Sequence, residues 1–117
     1  MKKPGLLCII ISAMLAAGHL WAKTPESAEY EPGKRLYNNR CQICHGMEGN
    51  GKRPAAASFS PRPTDFTNPA FWKDNVNKKI ADSIQKGYGM MPAFDLKPDQ
   101  VNEIIRYMSH AFKRGEK

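Results

Sequence analysis

Cys41-Gln42-Ile43-Cys44-His45 sets two thiols three positions apart and an imidazole directly after the second. On a helix, positions three and four apart share a face, so the three groups project from one side within about one turn. Upstream, residues 23–31 lack periodicity and are expected to form a mobile lead-in. Pro32 suits a first helical position, and Leu36 and Tyr37 begin an apolar face that Arg40 to Cys44 continue, which predicts a first helix of about three turns. Downstream, Gly46, Gly49, Gly51, Pro54, Pro61, Pro63 and Pro69 crowd the stretch to Trp72, so it is expected to be a long ordered loop. Asp74 is placed to cap a second helix whose Val76, Ile80 and Ile84 recur every four positions before Lys86 and Gly87 end it. After a turn through Gly89, Met91-Pro92 and Phe94, a third helix opens at Pro98. Its apolar stripe is Val101, Ile104, Ile105, Met108 and Phe112. No stretch alternates as a strand, and the expected class is all-α, with three main helices and long ordered loops.

The chain has 117 residues, 41% of them hydrophobic, which limits it to one domain. Much of that hydrophobicity lies in residues 1–22. In residues 23–117, Leu, Ile, Val and Phe together number 14, about 15%, below the roughly 20% at which a charged chain is suspected of disorder. A core built from protein alone would be thin, so something else has to fill the interior. The same composition excludes a large α/β enzyme, a collagen-like repeat, a multi-span membrane protein and a disulfide-dense scaffold.

Lys2 and Lys3 precede an apolar run, Leu6 to Ala17, broken only by Ser12, and Ala22 supplies a small residue before a cut. This is the pattern of a secretory signal peptide over 1–22, with cleavage near Gly18 or an uncleaved anchor as alternatives. The expected compartment is the periplasm. Cys8 lies inside the run and would be lost with it. The formal net charge is +7, and +5 once Lys2 and Lys3 are gone. Basic residues are interleaved with acids and form no long run, so nucleic acid is a poor partner. Steering toward an acidic protein, through residues such as Arg40, Lys52 and Arg53, competes with a plain solvated surface.

Cys-x-x-Cys-His is the attachment spacing of c-type haem, in which each thiol adds to a vinyl group and the histidine reaches the iron. Three other uses compete. A thioredoxin-type dithiol would need a βαβ frame, a disulfide this short would be strained, and zinc would need more ligands than His110 can supply. One covalent haem c is the reading the pattern favours, and folding should then depend on it. The second axial position has Met47, Met90, Met91, Met108 and His110 as candidates. Met47 is too close to His45 to reach the opposite face, Met108 belongs to an apolar stripe, and His110 falls at its edge. Gly87-Tyr88-Gly89-Met90-Met91-Pro92 remains, with glycines that allow close backbone approach and a proline that fixes the chain just past Met91. Met91 is the expected ligand and Met90 packs or is exposed; loop packing by both is the alternative.

These two motifs, in this order and flanked by helices, resemble a small single-haem class I c-type cytochrome of the exported bacterial kind. The likeness spans Pro32 to Phe112, within a domain of residues 32–117. It implies the cytochrome c fold, with the helices and loops wrapped around the haem, and a contact of Gly33 and Tyr37 with Tyr107. It also implies a proximal imidazole hydrogen-bonded to the Pro54 carbonyl after a loop containing Gly49 and Gly51, and Arg62 or Trp72 on a propionate. A core role for Trp72 and a solvated Arg62 are the alternatives. Lys97 stands where a Ser or Thr cap would often precede the last helix. The implied function is a monomeric periplasmic electron carrier cycling Fe(III)/Fe(II), with no enzymatic activity of its own. Its partners would be acidic redox proteins such as an oxidase, reductase or dehydrogenase, and it would meet membranes only by docking to their complexes. A haem-bearing subunit of a larger oxidoreductase, or a haem enzyme or sensor with an open sixth position, are the rival readings.

Overall fold

The structure is a computed structural model that describes Met1 and residues 24–114. The expected leader, apart from Met1, lies outside the described residues. Among the described residues there are four α-helices: α1 over Pro25–Arg40, α2 over Gln42–His45, α3 over Val76–Lys86 and α4 over Pro98–Phe112. Two short 3-10 turns, Pro54–Ala56 and Pro69–Trp72, punctuate the long loop. Among the described residues the only strand-like pairing is an isolated bridge between Tyr88 and Met91, and the class is all-α as expected. No helix of the described residues is long and apolar enough to cross a membrane.

The first helix begins earlier than its periodicity indicates. The Thr24 hydroxyl accepts the Ser27 N–H at 3.4 Å, Pro25 occupies a first-turn position and Glu26 complements the helix dipole. Residues 25–31, expected as a lead-in, are therefore helical, and Pro32 lies inside α1. Proline there removes one helical hydrogen bond. Stacking of Tyr30 on His110, ring centroids 3.9 Å apart, gives these early turns a partner on α4. Cys41 is the joint between α1 and α2: its N–H donates to the Tyr37 carbonyl at 2.8 Å, and its own carbonyl accepts from His45 at 3.0 Å. One residue thus ends the first helix and starts the next.

Two smaller expectations are also corrected. Asp74 does not cap α3; Asn75 precedes the helix in a left-handed conformation, with φ at 55°, and makes no side-chain cap. Lys97 costs α4 little, because the Gln100 side chain accepts the Lys97 N–H at 3.0 Å and supplies the reciprocal half of a capping box.

The core lies where α1 and α3 pack on α4. Tyr37 and Ile104 are fully buried, with Val101, Met108 and Phe112 close to it. Gly33 is where α1 and α4 come closest: a Cβ there would stand 1.9 Å from the Glu103 carbonyl oxygen and 2.9 Å from Tyr107 Cβ. Tyr37 and Tyr107 meet beside it at 5.5 Å. From inside this core the Tyr37 hydroxyl donates to the Gly46 carbonyl at 2.8 Å, tying the helix pair to the residue that follows His45.

Gly33→Ala should therefore wedge α1 from α4. Chemical denaturation should register a loss of about 1–3 kcal/mol, the usual cost of overpacking, whereas Lys34→Ala on the exposed side of the same helix should leave stability within about 0.5 kcal/mol of the parent.

Candidate functional site

Cys41 and α2 present two thiols and an imidazole to a cleft closed on the other side by the loop segments around Pro61–Thr64 and Tyr88–Phe94. The cleft has an outer cavity of about 280 Å³ and an inner one of about 100 Å³, and Cys41, His45 and Met91 line both. Phe59 and Phe94 wall the outer part; Phe66, Ile80 and Ile84 wall the inner part. Cys41 and Cys44 are free, half-buried thiols. Burial, with the neighbouring Cys44 adding to it and Arg40 opposing, pushes the Cys41 thiol up to about 11.

His45 is held from two directions. Its Nδ1 lies 3.3 Å from the Thr64 carbonyl oxygen, and its ring stacks on Phe66 with centroids 4.5 Å apart. Burial lowers its pKa below the usual imidazole value and the Thr64 contact opposes that shift. The lowered pKa favours the neutral imidazole, and the tautomer with its proton on Nδ1 would donate to Thr64 and leave a free lone pair on Nε2. The expectation of a bond to the Pro54 carbonyl is corrected. Pro54 heads a 3-10 turn, and its carbonyl accepts the Ala57 N–H at 3.1 Å.

The two methionines of the distal loop both line the outer cavity but differ in exposure. Met91 is half-buried against the core, whereas Met90 is 58% exposed. Tyr88 and Met91 exchange backbone hydrogen bonds of 3.0 and 2.9 Å, which sharpens the turn between them. Gly87, with φ at 76°, makes this possible: a Cβ on it would stand 2.7 Å from the Met91 carbonyl oxygen. Arg62 lines the outer cavity and is exposed. Trp72 is absent from the walls of both cavities, and its Nε1 donates to the Phe66 carbonyl at 2.7 Å. Its indole N–H is already used, so the propionate role expected for it does not hold. Arg40, Lys52 and Arg53 are exposed.

Sequence reasoning missed Thr64 and Phe66 as partners of His45. The Thr64 contact is made by a backbone carbonyl and leaves no residue-type signal. Phe66 is legible in the sequence as apolar packing around a flat cofactor, with no signal that pairs it with His45.

The cleft suits a flat apolar group with anionic edges. Its walls are aromatic and aliphatic, two thiols stand at one side, a neutral imidazole and a thioether line the same space, and its charged lining residues are Arg40, Arg62 and Lys79, with no carboxylate among the described ones. An all-helical shell around such a cleft defines a c-type haem domain. The family model for cytochrome C oxidase, cbb3-type, subunit III matches residues 28–108, and the chain belongs to that family. Its domain binds covalently attached haem c and serves haem-based electron transfer. Comparison with curated proteins gives no match.

Gly87→Ala should force the Met91 carbonyl away. Thermal melts of the haem-loaded protein, followed by haem absorbance, should show a loss of about 1–3 kcal/mol from overpacking, while Gly89→Ala, where a Cβ would meet nothing within 4 Å, should cost less.

Proposed function

We propose that His45 and Met91 are the two axial ligands of the haem iron and that the chain is an exported, periplasmic carrier of single electrons. The observation that carries this reading is that His45 and Met91 line both parts of one cleft, while the adjacent Met90 lines only the outer part and is more than half exposed. When bound, the haem supplies a one-electron Fe(III)/Fe(II) couple. Cys41 and Cys44 hold it covalently, which keeps it in an exported protein through changes of oxidation state. His45 presents Nε2, its ring fixed by the Thr64 carbonyl, a contact that also increases its donor strength. Met91 contributes a soft thioether that favours the reduced state and raises the potential relative to a second histidine. The His45 segment is tied to the α1–α4 core through Tyr37 and the Met91 segment to α3 through Phe94, so little rearrangement would accompany electron transfer. Arg62 lines the outer cavity and would be the cation for a propionate.

Export rests on Lys2, Lys3 and the apolar run that follows them. Arg40, Lys52 and Arg53 are exposed near the motif and would steer an acidic redox partner. A second reading is favoured by the description of the family, an oxidase subunit: the domain would then relay electrons while docked in a larger membrane complex. Size exclusion of native extract, tracked by haem absorbance, separates the two, because a free carrier elutes near its own mass and a subunit elutes with its complex.

The ligand assignment has its own test. The oxidised protein should show the weak long-wavelength band of iron–methionine ligation; Met91→Ala should abolish it and Met90→Ala should keep it. Loss in the Met90 variant with retention in the Met91 variant would reverse the assignment.

A further inference from the structure

Phe66 stands between the proximal histidine and the loop that follows it. Its ring lies on the His45 imidazole, 4.5 Å between centroids and 19° from parallel. Both ends of its backbone are tied: its N–H donates to the Gly49 carbonyl at 2.7 Å, and its carbonyl accepts from Trp72 Nε1 at 2.7 Å. The ring is 8% exposed and bounded by Phe71 at 5.1 Å and Phe112 at 6.2 Å. A residue fixed in this way offers its neighbour a rigid flat surface.

An imidazole joined to iron by one bond can turn about that bond, and groups beyond the ligand decide where it stops. Here two contacts act on it from different directions. The Thr64 carbonyl aligns one edge of the ring through Nδ1, and the Phe66 face limits its tilt and rotation. Trp72, which lines neither cavity, is linked to this arrangement by its hydrogen bond to the Phe66 carbonyl and by an edge-on ring contact with Phe71 at 5.2 Å. We propose that Phe66 and Trp72 are positioning residues that set the plane of the His45 ring, Trp72 acting through the Phe66 carbonyl.

This rests on His45 being the proximal ligand, and the two claims have separate readouts. The orientation of an axial imidazole governs how unpaired spin spreads over the porphyrin, so it is read from the paramagnetically shifted haem-methyl proton resonances of the oxidised holoprotein. The proteins to compare are the parent, Trp72→Phe, Phe66→Leu and Phe112→Leu. Trp72→Phe keeps an aromatic ring and deletes the N–H donor. Phe112→Leu weakens packing on Phe66 from a residue that lines neither cavity and leaves the Trp72 bond intact, and so controls for a purely structural effect. Trp72→Phe and Phe66→Leu should change the order or spread of the methyl shifts and move the midpoint potential, and Phe112→Leu should retain the parent pattern. A parent-like spectrum for Trp72→Phe, or the same change in Phe112→Leu, would overturn the proposal. If Phe66→Leu fails to fold, the other two variants decide it. A parent spectrum without shifted His45 ring protons would instead remove the ligation itself.

Discussion

Fourteen Leu, Ile, Val and Phe side chains have to hold residues 23–117 together, and the way they are deployed governs the rest of the molecule. Ile104, Ile105, Val101 and Phe112 are used with Tyr37 and Met108 where α1 and α4 meet. Ile80, Ile84 and Phe66, which are buried, and Phe59 and Phe94, which are half-buried, instead line a cleft. Burial of a large apolar side chain contributes about 1.5–3 kcal/mol, and the half-buried Phe59 and Phe94 would gain that in full only with a flat apolar group against them. The haem c of this family is thus a part of the hydrophobic core as well as the site of its chemistry.

The helix pair and the cleft are joined at few points, and each is identifiable. Tyr37 reaches from the core to the Gly46 carbonyl, Cys41 closes one helix while opening the next, and Trp72 secures Phe66 over His45. Through them the position of the imidazole is inherited from α1–α4 packing. The distal side is held differently. Phe94 donates its N–H to the Ile84 carbonyl at 2.7 Å, which ties the segment carrying Met91 to the end of α3.

Much of this was legible in the sequence. α3 and α4 followed from apolar residues at helical spacing, the attachment motif from its thiol spacing, and the difference between Met91 and Met90 from the adjacent proline. What escaped was set by backbone geometry or by single polar contacts. The Thr24 cap and the Tyr30–His110 stack carry α1 back to Pro25, whereas a proline at 32 looks like a start because most internal prolines break helices. Which carbonyl meets His45 depends on how the loop folds back, and Thr64 was not distinguishable from Pro54 by residue type. Trp72 has one N–H, and nothing in its neighbours' identities tells whether a carboxylate or the Phe66 carbonyl takes it.

The central claim is that the fold closes around covalent haem. Circular dichroism of a chain carrying both Cys41→Ala and Cys44→Ala, compared with the haem-loaded parent under the same conditions, tests it most directly. The account predicts that the double variant loses most of its helical signal and its cooperative melt; a haem-free double variant with parent-like helicity and a sharp transition would contradict it.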